Sequence, residues 1–290
     1  MSLTAALNIG RSALTVNQAA IQTVGNNISN VGNPNYTRQT PLISASREQI
    51  RPAGMAGGAG VQLDGIRRNI DEALEGRIRN STSDSTGAGV QEQWLSRMEA
   101  VMNELSDQDL STQLSTFFNS WSDLANKPQD PGLRQIVLQS GQSVATWFRQ
   151  MSDQFQSLRG DLGQSITNTA ASADELASKI AALNTEIVNA EGGGTGAAAN
   201  GLRDQRDTVL KELAGLIEIR TVQQPNGVTN VYVGSDPLVF DGRSRGVTVV
   251  NETIDGRVQP QVIFRENGAP LKGDSGELGG LLKVSGALDQ

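Results

Sequence analysis

Leu7, Leu14, Ile21 and Ile28 recur every seven residues, and Leu3, Gly10, Asn17, Val24 and Val31 fall in the matching d-type positions of the same heptads. This spacing predicts a helix over Leu3 to Val31 with one apolar seam, about 43 Å long at ~1.5 Å per residue. Gly10 and Asn17 interrupt the seam with a small and a polar residue, as happens where register or close approach matters more than stability. The other faces carry Ala5, Ala6, Ala13, Ala19 and Ala20 among Ser, Thr, Asn and Gln, so neighbours can approach closely on more than one side. Gly32 and Asn33-Pro34 end the helix, because a residue before proline is pushed out of the α region and glycine tolerates a left-handed cap.

Beyond this N-terminal helix and Asn-rich turn (residues 1–40), residues 41–65 read as an extended or loop segment containing the glycine-rich "GMAGGAG" stretch. That stretch lacks the Gly-Lys-Ser/Thr ending of a phosphate loop. Helical spacing returns at Ile66-Ile70-Leu74-Ile78 and, after the "STSDSTGAG" linker, at Trp94-Met98-Val101-Leu105 and Leu110-Leu114-Phe117-Trp121-Leu124. "NKPQDPG" then breaks the chain, and apolar residues recur at helical spacing from Leu133 to Ile187. Residues 66–220 are thus expected to form a long-helix body, with Trp94, Phe117, Trp121, Phe148 and Phe155 buried against one another. After Ile219 the period alternates, with short Val-rich runs separated by Pro225-Asn226-Gly227, Asp241-Gly242, Asp255-Gly256 and Asn267-Gly268. Such pairs mark hairpins, so residues 221–290 are read as a β-rich outer domain. The predicted fold is mainly α: an elongated bundle of long helices with an N-terminal heptad helix, plus a small antiparallel β domain at the C-terminal end.

Charge sharpens the picture of the first helix. From Met1 to Thr37 the only charged side chain is Arg11, and no acid occurs before Glu48. A solvated surface helix carries charge on its outer face, so this one is expected to be covered on several sides. The net charge of -7 argues against nucleic acid and anionic membranes as partners, since both require a basic face. With neither His nor Cys, the chain holds no Ser-His-Asp triad, thiol nucleophile or His/Cys zinc site, and no motif for a metal or cofactor stands out. The N-terminus lacks the basic region and apolar run of a cleaved signal, and no stretch reaches the roughly 18 apolar residues of a membrane span.

Asn26-Asn27-Ile28-Ser29-Asn30-Val31 followed by Asn33-Pro34-Asn35-Tyr36-Thr37-Arg38-Gln39 resembles the N-terminus shared by bacterial flagellar axial proteins. The usual turn there is Thr-Pro-Gly-Tyr; here Asn35 takes the glycine position, which asparagine also tolerates. "QDPGLRQIVLQ", "NGLRDQRDTVLKEL" and "NVYVGSDPLVFDG" narrow the resemblance to the flagellar hook-associated protein 1 family. Members of that family are longer and return to the core of the axial structure with a second terminal helix, so the sequence is read as an N-terminal part.

The resemblance implies a structural protein, not an enzyme, that joins hook to filament by helical self-assembly. Implied partners are further copies in a helical ring, the hook protein, the second junction protein (hook-associated protein 3), the flagellar export apparatus and a cytoplasmic export chaperone. The implied location is extracellular, in the flagellum, reached without a cleaved signal peptide. On the same ground the assembly interface is assigned to Leu3, Leu7, Leu14, Asn17, Ile21, Val24, Asn26, Asn27, Ile28, Asn30, Val31, Pro34 and Tyr36. Another axial protein, from hook or distal rod, is the alternative, although those relatives lack a long helical body ending in "LRDQRD". A hydrolase working through carboxylates would need two acids in a cleft, whereas Asp204 and Asp207 read as surface partners of Arg203 and Arg206 at helical spacing.

Overall fold

The computed structural model describes residues 3–46, 49–50, 56–57, 60–102, 110–192, 199–254 and 257–288. The heptad segment is one helix, α1 (Leu3–Ser29), and the chain turns after it into β1 (Gln39–Ala45). Two short strands, β2 (Gln49–Ile50) and β3 (Ala56–Gly57), pair with each other before β4 (Val61–Arg68) returns antiparallel along β1. The segment expected to be extended is therefore a hairpin, with its register shifted between Leu42 and Ile43. α1 lies against this hairpin.

The helical body begins later than the spacing implied. Ile66 belongs to β4 and Ile70 to the link that follows, and α2 spans Glu72–Met102 after an N-cap in which Asp71 accepts from the backbone N–H groups of Ala73 and Leu74. The "STSDSTGAG" stretch is not a linker; it lies inside α2. Its small residues have a packing purpose: Ser83 and Gly87 are buried where α2 crosses α6 (Gly276–Leu288), a helix the sequence pattern did not announce. A Cβ on Gly280 would sit 2.5 Å from the Gly87 carbonyl oxygen, so the two backbones touch there.

α3 (Leu110–Asn126) and α4 (Pro131–Gly192) form an antiparallel hairpin at the start of α4. Asp130 accepts from the N–H groups of Gly132 and Leu133, and Pro131 occupies the first helical position, so the "DPG" break is the entry to a 62-residue helix. Before Leu158, α4 buries only Val137; from Leu158 to Ile187 its inner face is continuously buried. Trp121 and Phe148, expected inside, are half-exposed near the α3 end, where among the described residues α3 is the main cover of α4.

α5 (Asn200–Leu216) leads into a four-stranded antiparallel sheet, β5 (Arg220–Gln223), β6 (Thr229–Val233), β7 (Asp236–Phe240) and β8 (Arg243–Ser244), in that order. Asp241 and Gly242 both have positive φ, as the expected tight β7–β8 turn requires. β9 (Val247–Ile254) pairs with β10 (Arg257–Phe264), and the side chain of Asp174 on α4 holds this ribbon through the Val247 N–H and Arg265. The Asp255-Gly256 pair, Leu105 and most of the "GMAGGAG" stretch lie outside the described residues. One hydrophobic core joins Trp94 of α2, Leu162 to Ile180 of α4, Leu213 of α5, Val231 and Leu238 of the sheet, Phe264, and Leu278 and Leu281 of α6. The β elements thus pack on the helical body itself.

Candidate assembly surface

α1 has two unlike faces. Val16 and Thr23 are buried toward the hairpin, and the Val61 N–H reaches the Ser12 hydroxyl at 3.4 Å. Gly60, at φ +95, lies so close that a Cβ there would fall 2.5 Å from the Ser12 oxygen. The opposite face is the heptad seam, and it is open: Leu7 is 64% exposed, Leu14 71%, Ile21 72% and Ile28 68%. Leu3, Val24 and Val31 are exposed as well, as are Asn17, Asn26 and Pro34. Burying one such aliphatic side chain is worth about 1.5–3 kcal/mol, and nothing among the described residues covers the seam.

The polar residues at the end of α1 divide into two kinds. Asn27 is committed inside the chain: its amide donates to the Gln39 carbonyl at 2.8 Å, and its oxygen accepts from the Gln39 N–H and the Tyr36 hydroxyl, both at 2.9 Å. Asn27 and Tyr36 together fix the angle at which the chain leaves α1 for β1. Burial, then the nearby Asp204 carboxylate, raises the Tyr36 phenol above the ordinary tyrosine value, so it stays a hydrogen-bond donor. Asn30 donates to the Asn26 carbonyl one turn back, at 2.9 Å.

A second joint ties this unit to the body. Arg68, the last residue of β4, donates to Asp204 at 2.8 Å and Asp207 at 2.7 Å, both on α5. The Thr37 N–H approaches Asp204 at 3.4 Å, and Asn200 donates to the Ile66 carbonyl at 2.8 Å. Burial works against the charge on Arg68, but Asp207 and Asp204 outweigh it and hold its pKa above the usual arginine value.

The "LRDQRD" residues are thus not surface pairs along one helix. Arg203 reaches Glu191 at the end of α4 at 2.8 Å, and this bond holds Glu191 below the ordinary carboxylate range. Arg206 is 1% exposed and donates to the Asn184 side chain at 2.9 Å and the Gly227 carbonyl at 2.7 Å. Burial lowers its pKa to about 10 despite Asp207, with Arg203 and Arg68 adding to the effect. Arg68 was missed as a functional residue; the one signal for it was the isolated Arg67-Arg68 pair. The same joint lines a polar cavity between α2, α5 and β5, with Glu75, Arg79 and Thr221 on its far wall.

Among the described residues no group of His, Cys, Asp or Glu is placed to hold a metal ion, and no helix is long and apolar enough to cross a membrane. What the arrangement offers is a surface: a helix whose one charged side chain is Arg11, held by two hydrogen-bonded joints, with its apolar seam facing outward.

Comparison with known proteins supplies the family. Flagellar hook-associated protein 1 of Bacillus subtilis is 30% identical over 258 residues, covering 87% of this chain and 50% of the relative. The protein of the same name from Salmonella typhimurium is 28% identical over 292 residues, covering 98% of this chain and 52% of the relative. The chain thus spans about half the length of the curated relatives it matches. The solved structure of the flagellar hook junction protein FlgK from Burkholderia pseudomallei shares the fold, with a TM-score of 0.59 at 22% identity over 71% of this chain and 38% of that one. Residues 95–290 match the model of the flagellar hook-associated protein FlgK helical domain, and the chain belongs to that family of flagellar structural proteins.

Proposed function

We propose that the chain is part of a structural adaptor that joins the hook of the bacterial flagellum to its filament and is built into the axial structure by helical self-assembly. The observation that carries this reading is the open seam of α1: six large apolar residues on a helix with one charge, with Val31 just beyond its end, all left exposed among the described residues. Leu3, Leu7, Leu14, Ile21, Val24, Ile28 and Val31 are the residues that meet a neighbouring helix. Asn17, Asn26 and Asn30 can exchange hydrogen bonds there without the several kcal/mol that an unpaired buried ion costs. Asn27, Pro34 and Tyr36 act by aiming α1. The names of the relatives support the hook-filament junction as the place, hence an extracellular location reached by flagellar export. They also support the hook protein and the next junction protein as neighbours. An export chaperone is a further partner on the same footing, and the role is structural, not catalytic.

The test is a pair of charges in the seam. Leu14→Lys with Ile21→Lys leaves the N-terminal segment present for export and should leave helicity by circular dichroism unchanged. Such a chain should be released into the medium, be absent from hook tips by immunogold labelling, and leave the cells without filaments. Normal filaments on cells carrying only this variant overturn the reading.

A further inference from the structure

The α3–α4 hairpin repeats the chemistry of α1 at the other end of the molecule. No charged residue occurs from Leu110 to Ser122 or from Gln135 to Phe148, on any face of either helix. Yet Phe118 is 63% exposed, Leu138 62%, Ile136 52% and Trp121 50%. Two contacts mark the inward direction of the pair: the Phe117 ring meets Gly141, and the Ser120 and Ser140 hydroxyls are 3.0 Å apart. At about 100° per residue, Phe118 follows the inward Phe117 and Leu138 follows the buried Val137. Antiparallel helices turn in opposite senses, so these two residues share one flank. Ile136 precedes Val137 by the same angle and lies on the opposite flank, where helical spacing also puts Trp147.

We infer that this hairpin is a contact between copies of the chain, in which the Phe118/Leu138 flank of one copy packs against the Ile136/Trp147 flank of the next. The inference rests on the self-assembly reading above and extends it from α1 to the body. The occupant is a second copy for reasons of charge. At net charge -7 two copies repel on balance, and faces without charge are where identical acidic chains can approach. A partner of another kind would be chosen by complementary charge, which these flanks do not display. Two unlike flanks on opposite sides make the contact heterologous, and a heterologous contact repeats into a ring or a helix instead of closing as a dimer.

The absence of cysteine from the chain makes a direct test available. Ile136→Cys and Leu138→Cys replace exposed side chains, so the fold should persist, with circular dichroism as the check. In flagella isolated from cells that carry the variant chain, mild thiol oxidation of the double variant should give a ladder of dimers, trimers and longer species. Each single variant should stay monomeric, and the two singles expressed together should give dimers only. Dimers from one single variant, absence of a ladder from a chain located at hook tips, or disulfides to a different protein each overturn the inference while leaving the assembly reading intact. If the unsubstituted chain is itself missing from hook tips, the assembly reading fails and this inference falls with it. A double variant that folds but is not exported is oxidised as the purified chain at high concentration and judged by the same outcomes.

Discussion

Asn27 shows how far a single side chain can be read from sequence. Its place in an Asn-rich end to a neutral helix marked it for attention, but the pattern could not say whether its amide points to a neighbour or back into the chain. The structure gives three bonds within the chain, two of them across the turn to the Gln39 backbone. Asn27→Leu should therefore strand the Tyr36 hydroxyl and the Gln39 N–H, at about 1–3 kcal/mol, and amide exchange at Gln39 should speed up; unchanged exchange would place the bonds elsewhere. Arg68 was illegible for a related reason: Asp204 and Asp207 lie more than a hundred residues away, and only the fold makes them its partners. Arg68→Ala leaves two carboxylates facing each other and should lower stability by about 2–3 kcal/mol in a urea melt, less than for a fully buried pair because Asp207 keeps some solvent. Glu191 gives a pH dependence of definite sign. Its folded pKa lies below the ordinary value, so its pairing stabilises fully above the usual glutamate range and is lost as pH falls through the lowered folded value. Urea midpoints should show this acid-side loss in the unaltered chain and a shallower one in Glu191→Gln.

Among the elements, those with a strong period were legible and those made of small residues were not. α1, the long α4 and the hairpin turns at Asp241-Gly242 follow from heptads, helical spacing and turn chemistry. The "STSDSTGAG" stretch misled because serine, threonine and glycine favour linkers by composition, whereas here they line a close helix crossing. α6 was missed because "GELGGLLKVSGAL" is rich in glycine, and of these glycines Gly280 meets Gly87 of α2 while Gly276 packs against the end of α5. Gly87→Val puts a side chain where the nearest atom to a Cβ, the Gly276 carbonyl oxygen, would be 2.9 Å away. It should cost at least the ~1–3 kcal/mol typical of overpacking, with faster amide exchange in α6 as the specific sign that the two helices have parted. Gly89 has open space around it, so Gly89→Ala should be neutral or slightly stabilising and serves as the control.

For the molecule as a whole, the mainly α body and the antiparallel β unit were both predicted, but not that they share one core. That required knowing that α4 passes behind the sheet, which no local period reveals. The scarcity of charge on α1 and on the α3–α4 hairpin is also a property of the whole: it stands out only against a chain that elsewhere carries both signs with an acidic excess. α4 connects these regions. Its 62 residues run about 93 Å without interruption, anchored from Leu158 onward in the core and carrying α3 at its free end. A rod clamped at one end and free at the other is a cantilever. Load applied at the hairpin reaches the core as a bending moment along one stiff member, so a push on α3 is felt more than a helix length away, where α4 enters the core.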